Sequence, residues 1–231
     1  MNRLIPLGLP VYCGGARGHY VALTFDDGPG PYTHLALRKL RFFGDRATFF
    51  LVGKELATQP SVPRQEGEIA ALGDHTWTHP VLPALSPSRI REELLTAKIA
   101  VAQASGQPVT LFRPPYEART PAIDRQARDL GMLEILWDVD SRDSAGANYA
   151  GIAANVIQGL RPGSIILMHE NRGQTIRALL TILPALRRRH LRAVSVPELL
   201  ALDPPSLRQL RAGPRGCAPL TNAPASPTGG G

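Results

Sequence analysis

The chain has 231 residues, 43% of them hydrophobic, and 26 basic against 19 acidic side chains give a net charge of +7. That is enough apolar chain for one sizeable domain, and it excludes a disordered or fibrous protein. No apolar run approaches the ~20 residues of a membrane span, and the scattered arginines lack the interleaved aromatics of a nucleic-acid surface, so no nucleic-acid partner is expected.

Residues 1–18 read as a lead-in. Met1 to Pro10 holds one Arg and is too short for a secretory leader, so none is visible. A strand is expected over Val21 to Phe25, a helix over Thr33 to Phe43 and a strand over Ala47 to Val52. Glu66 to Leu72 reads as a short helix closed by Gly73. Ser86-Pro87 caps a helix that Gly106 ends, because Pro fits the first helical position and Gly the end. Val109 to Phe112 is a strand, Thr120-Pro121 caps a helix that Gly131 stops, and Met132 to Val139 is a strand. A helix over Asn148 to Leu160 turns at Pro162-Gly163 into the strand Ser164 to Met168. The helix Thr175 to Arg189, the strand Leu191 to Val194 and the helix Pro197 to Leu202 follow. From 204 to 231 the chain is rich in Pro, Gly, Ala and Ser and reads as a disordered tail.

Buried strands alternating with helices imply a single α/β domain over 19–203. About seven parallel strands suit a distorted (β/α) barrel better than a closed eightfold one. An open doubly wound sheet is the alternative, although no G-x-G-x-x-G follows a strand. Cys13 and Cys217 lack zinc-ligand spacing; they are either one disulfide or two free thiols.

Polar residues collect where strands end. Asp26 and Asp27 follow Phe25, Arg113 follows Phe112, Asp138, Asp140 and Asp143 follow Trp137, and His169 and Glu170 follow Met168. Carboxyl ends of barrel strands form one face, where active sites sit. Two adjacent carboxylates repel unless a cation or proton separates them; the bland reading of Asp26-Asp27-Gly28-Pro29 is an exposed turn. His75 and His79, four apart on a helical turn, share one face and reach one ion. With Asp27 they make a two-His, one-carboxylate set suited to zinc, with iron or cobalt also accommodated.

Thr24 to Pro29, His75 to His79, Arg113-Pro114-Pro115-Tyr116, Trp137 to Asp143 and Leu167-Met168-His169 resemble, in order and rough spacing, the five motifs of the polysaccharide deacetylases, carbohydrate esterase family 4 (the NodB-homology domain). The resemblance spans about Val21 to Leu202. It implies a divalent metal, usually zinc, held by Asp27, His75 and His79. It implies Asp26 as general base, Arg113 as the base's partner, His169 as general acid and Asp143 as the carboxylate that tunes it. The backbone N–H of Tyr116 corresponds to the oxyanion donor and Leu167 to a wall of the acetyl pocket, while Trp137 reads as core or pocket wall. Three positions depart from the family: Ser144 where Trp is common, Glu117 where Gly is common, and Asp74 where Asn is common.

The implied activity is N-deacetylation of a glycan substrate, peptidoglycan or a chitin-type oligosaccharide, outside the membrane. The lack of a visible leader leaves the cytoplasm open. O-deacetylation of acetylated xylan, a silent glycan-binding module and a phosphatase built on paired aspartates are the alternatives. The last conflicts with the adjacency of the acids and the lack of a P-loop.

Overall fold

The computed structural model describes residues 3–217. Eight strands form one sheet: β1 (Tyr20–Gly28), β2 (Ala47–Leu51), β3 (Ala70–Asp74), β4 (Leu111–Phe112), β5 (Leu133–Glu134), β6 (Val139–Asp140), β7 (Ile165–His169) and β8 (Arg192–Ala193). Their order is β5-β4-β3-β2-β1-β7-β6, with β8 pairing to β1 off this path. Every pairing is parallel. Helices α1 (Thr33–Phe43), α2 (Val62–Gly67), α3 (Pro87–Ser105), α4 (Pro121–Asp129), α5 (Tyr149–Gly159), α6 (Gly173–Arg188), α7 (Val196–Leu202) and α8 (Leu207–Ala212) fill the connections. This is the expected distorted (β/α) barrel.

The sheet curls because one stretch of chain serves both of its ends. The strand expected over Met132 to Val139 divides into β5 and β6, which lie at opposite ends of the sheet order. Between them Ile135 bridges Val11 of the lead-in, and the Asp138 N–H donates to the Ile165 carbonyl. A stretch of eight residues, six of them apolar, therefore carries two short pairings instead of one ladder.

Strand alternation sorts the side chains. Val21, Leu23 and Phe25 join Phe49, Leu72 and the inner faces of α1 and α6 in one cluster. Ala22, Phe50, Leu111, Ile135 and Ile165 join Val11, Val196 and Leu199 in another. A period of two places Thr24 and Asp26 on the Ala22 side of β1. The helix caps read from sequence form: Ser86 and Thr120 accept from the Arg89 and Ile123 N–H groups, and Gly106 ends α3 at φ 74, in the left-handed region where glycine carries no penalty.

Two further sequence readings are corrected. Ala70 to Leu72, read as the end of a helix, is strand β3, paired to β2 from Ala47↔Ala70 to Leu51↔Asp74. Helix α2 stops at Gly67, and three apolar residues are too few for periodicity to separate helix from strand. The region from 204 is ordered as far as Cys217. Ser206 and Gln209 form a capping box at the start of α8, and Cys13–Cys217 is a disulfide. Residues 218–231 lie outside the described residues.

Candidate active site

Asp26 and Asp27 end β1, but not as a regular strand. The β1–β2 register shifts between Phe25 and Gly28, and Asp27 has φ 65. In an unbroken strand, adjacent side chains face opposite sides of the sheet. The bulge re-aims Asp27, so both carboxylates face the same loops. On the other side of β1 the register with β7 is regular and sets Asp26 directly beside His169.

Arg113 is fully buried and has four assigned contacts. Its Nε and one Nη donate to the Ile135 and Leu136 carbonyls at 2.9 and 3.1 Å, and the other Nη donates to Thr24 Oγ1 and Asp26 Oδ1, each at 2.8 Å. The guanidinium also lies 4.2 Å from the Phe50 ring centre and 5.5 Å from that of Trp137. Burial lowers the arginine's pKa, opposed by the charge of and hydrogen bond to Asp26. An arginine stays charged through such a shift. Breaking one member of a buried pair typically costs about 3–5 kcal/mol, so this contact is not the bland surface pair.

The expected helical turn at His75 to His79 is absent; the segment is a loop after β3. Thr76 and His79 take φ 70 and φ 61. Asp74 Oδ1 accepts the Thr76 N–H at 2.6 Å and Thr76 Oγ1 accepts the His79 N–H at 3.0 Å, so Asp74 holds the turn. Glu93 of α3 ties the loop down by accepting from the N–H and hydroxyl of Thr78, both at 2.8 Å. Hydrogen bonds thus set the two imidazoles together without helical spacing.

Asp27 Oδ1 lies 3.6 Å from His75 Nε2 and 3.2 Å from His79 Nε2. These residues offer donor atoms all within 4.8 Å of one another. The other ring nitrogens are occupied. His75 Nδ1 is 2.7 Å from the Arg113 carbonyl, which only accepts, so Nδ1 carries the proton and Nε2 is left with a lone pair. His79 Nδ1 is 3.1 Å from the Tyr116 hydroxyl. Burial pushes the His75 pKa down, favouring neutral imidazole, although Asp26 and Asp27 oppose it. Burial alone would raise Asp27, but the His79 hydrogen bond and the neighbouring imidazoles hold its carboxyl well below the usual range. Two imidazole nitrogens and one carboxylate oxygen fit a divalent cation.

His169 ends β7 and meets Asp143. Its Nδ1 lies 2.7 Å from Asp143 Oδ1, and its backbone N–H donates to Asp143 Oδ2 at 2.7 Å. Thr175 of α6 adds a hydroxyl to the same oxygen at 2.6 Å. Burial opposes the imidazolium, but the bond to Asp143 and its charge outweigh it, so the His169 pKa is raised. Burial likewise opposes the Asp143 carboxylate, and His169 outweighs it, so that pKa is lowered. The two directions agree and describe one ion pair.

Tyr116 and Glu117 sit in the turn after Arg113-Pro114-Pro115 with φ 60 and φ 55, and Tyr116 is 67% exposed. A positive φ is the region that glycine adopts without a steric penalty, so Glu117 carries a strain that the glycine expected there would not. Leu167 is buried in β7 between Thr24 and Asp140. Trp137 lies against Arg113, and Ser144 is exposed. Asp138 does not join the cluster: it pairs with Arg161 and accepts the Ile165 N–H at 2.7 Å. Asp140 caps the Arg142 turn at 2.7 Å. Sequence reasoning missed Thr175, whose only signal is a hydroxyl in the first turn of a helix that follows His169. It also missed Asn171, whose Nδ2 lies 3.5 Å from Asp27 Oδ2.

A family model described as polysaccharide deacetylase matches residues 14–135. A chitooligosaccharide deacetylase of Bradyrhizobium sp. (strain ANU 289) is 35% identical over 202 residues, covering 80% of this chain and 91% of that protein. The chain belongs to the polysaccharide deacetylase family. A peptidoglycan-N-acetylglucosamine deacetylase of Bacillus cereus (strain ATCC 14579) is 34% identical over 189 residues, 78% of this chain and 87% of its own length. Among solved structures, the Bc1960 peptidoglycan N-acetylglucosamine deacetylase superposes with a TM-score of 0.80 at 28% identity, over 86% of this chain and 95% of that one. The resemblance to the polysaccharide deacetylases therefore stands, and with it a hydrolase acting on amide bonds.

Proposed function

We propose that this chain is a metal-dependent deacetylase that hydrolyses N-acetyl groups of a glycan, peptidoglycan or a chitin-type oligosaccharide. The observation that carries the reading is the register Asp26↔His169 beside the Asp27, His75 and His79 donors. It sets a carboxylate and an imidazole on neighbouring strands at the edge of a candidate cation site. The relatives named as a chitooligosaccharide deacetylase and a peptidoglycan-N-acetylglucosamine deacetylase support an amide substrate.

Asp27, His75 and His79 would hold one divalent ion, with zinc the first candidate and cobalt or another transition metal the second. Such an ion acidifies water and polarises a carbonyl. Asp26, compensated by Arg113 at 2.8 Å, takes the proton from the attacking water. The Tyr116 N–H receives the charge that develops on the acetyl oxygen. His169, kept protonated by Asp143, gives its proton to the leaving nitrogen as the C–N bond breaks. Acetate and a free amine result. Leu167 walls the acetyl pocket, and Trp137 packs the guanidinium that holds the base.

The substrate places the work at the cell envelope. The Cys13–Cys217 disulfide suits that oxidising setting. No helix among the described residues is long and apolar enough to cross a membrane. Mass spectrometry of defined N-acetylated glycans after incubation with zinc-loaded protein tests the reading. Loss of one acetyl group per step from a chitooligosaccharide or peptidoglycan fragment is expected. Release of acetate from acetylated xylan alone would replace the amide with the ester as substrate.

A further inference from the structure

Two glutamates that the mechanism does not use are fully buried beside the acidic turn. Glu66 comes from α2 and Glu170 follows His169, and both have no exposure. Glu170 Oε2 accepts the Thr33 hydroxyl at the start of α1, and Thr33 Oγ1 in turn accepts the Gly30 N–H at 2.9 Å. The Glu170 N–H donates to the Asp26 carbonyl at 3.2 Å. Gly28 presses directly on this carboxyl: a Cβ there would lie 1.6 Å from Glu170 Oε1. One residue thus grips the chain on both sides of Asp27, at the Asp26 carbonyl and through Gly30.

The remaining oxygens pose a problem. Glu66 Oε1, Glu66 Oε2 and Glu170 Oε1 have no donor among the described residues. Buried carboxylate oxygens without a protein donor are costly, and a proton between the two side chains turns two repelling anions into one hydrogen-bonded, singly charged unit. The titratable groups facing the pair are the two glutamates themselves, from α2 and from the end of β7, and Asp27 from β1. α1 contributes the neutral Thr33.

We propose that Glu66 and Glu170 share one proton and that Glu170, held by this pairing, is a positioning residue that fixes the Asp26–Asp27 bulge against His169. This rests on the catalytic reading given above. Burial and the neighbouring carboxyl raise Glu66, and burial raises Glu170 to about 8, against an ordinary glutamate near 4.5. The folded pair therefore keeps a proton that the unfolded chain has lost. Its contribution to stability is complete below about 4.5 and declines as pH rises toward about 8.

Urea unfolding at pH 6, 7 and 8 compares the wild type with the Glu66→Gln/Glu170→Gln double variant. The wild-type folding constant is expected to fall more steeply, by about tenfold per pH unit, because one more proton is released on unfolding. Equal slopes overturn proton sharing. Acetate release gives the second arm. Glu66→Gln, which still donates to Glu170, stays within about threefold of wild type, whereas Glu66→Leu loses at least tenfold in kcat with KM within about threefold. A folded Glu66→Leu protein with wild-type kcat overturns positioning. If circular dichroism shows that Glu66→Leu does not fold, Glu170→Asp carries the same arm, since it shortens the reach to Thr33; an unchanged kcat there is equally decisive. A wild-type protein that releases no acetate from any glycan counts against the proposed function, and the slope comparison still judges the shared proton.

Discussion

Replacing Asp143 by Asn tests the acid directly. Asn keeps the shape and one acceptor oxygen but removes the charge that makes His169 basic. Asp143 is buried and accepts from His169 twice and from Thr175 once, at 2.6–2.7 Å. Of these, the contact from Nδ1 strengthens when the imidazole is protonated. A hydrogen bond to a charged group contributes about 1.5–3 kcal/mol, so its loss lowers the imidazolium population about 10- to 100-fold at a fixed pH above its titration. The sign follows from the raised His169 pKa. The acid is present below that pKa and lost as pH rises through it, so it sets the alkaline limb of the rate profile. In Asp143→Asn, burial acts with less opposition and the limb moves to lower pH. The assay is kcat/KM for acetate release from a chitooligosaccharide between pH 5 and 10. A variant that loses rate while its alkaline limb stays in place would refute the assignment of His169 as the acid tuned by Asp143.

Asp26→Asn is expected to lower kcat by about 10²–10⁴-fold while retaining the metal, and full activity would remove Asp26 from the role of base. His75→Ala/His79→Ala should lose the one bound metal per chain, as read by elemental analysis after dialysis; unchanged metal content would place the ion elsewhere. Glu117→Gly relieves a left-handed residue at φ 55 and should stabilise the fold by up to about 1 kcal/mol in urea melts. A loss of stability there would mean that the Glu117 side chain makes a compensating contact.

Much of the fold was legible because its signals are local. Ser86-Pro87, Thr120-Pro121 and Gly106 carry their geometry in their own chemistry, and α3 and α4 begin where they indicate. Two of the misreadings have a non-local cause. Ala70 to Leu72 looked helical because so short an apolar run fits either period; its strand identity comes from β2, already buried beside it. Met132 to Val139 looked like one strand because nothing in its residues records that Val11 would intervene. The stretch after 204 looked structureless from composition, yet Ser206-x-x-Gln209 is a capping box that could have been read. The link from Cys13 to Cys217 supplies the remaining order, and a pairing across the whole chain cannot be seen locally.

The site was legible for a reason that its geometry now supplies. Sequence placed the polar residues at strand ends, and in a parallel sheet those ends are brought together by register, whatever the loops between them do. Asp26 meets His169 because β1 and β7 align, and His75 meets the Arg113 carbonyl because Asp74 pairs with Phe112. What strand logic forbids is the adjacent pair itself, since Asp26 and Asp27 should face opposite sides. The bulge at Asp27 removes that conflict at the cost of a left-handed residue, and Thr76, His79, Tyr116, Glu117 and Arg142 adopt the same strained region around it. Strain gathered in the loops of one face needs a rigid support beneath them. Buried Arg113 supplies it under Asp26, and the Glu66–Glu170 pair supplies it under the turn that follows Asp27.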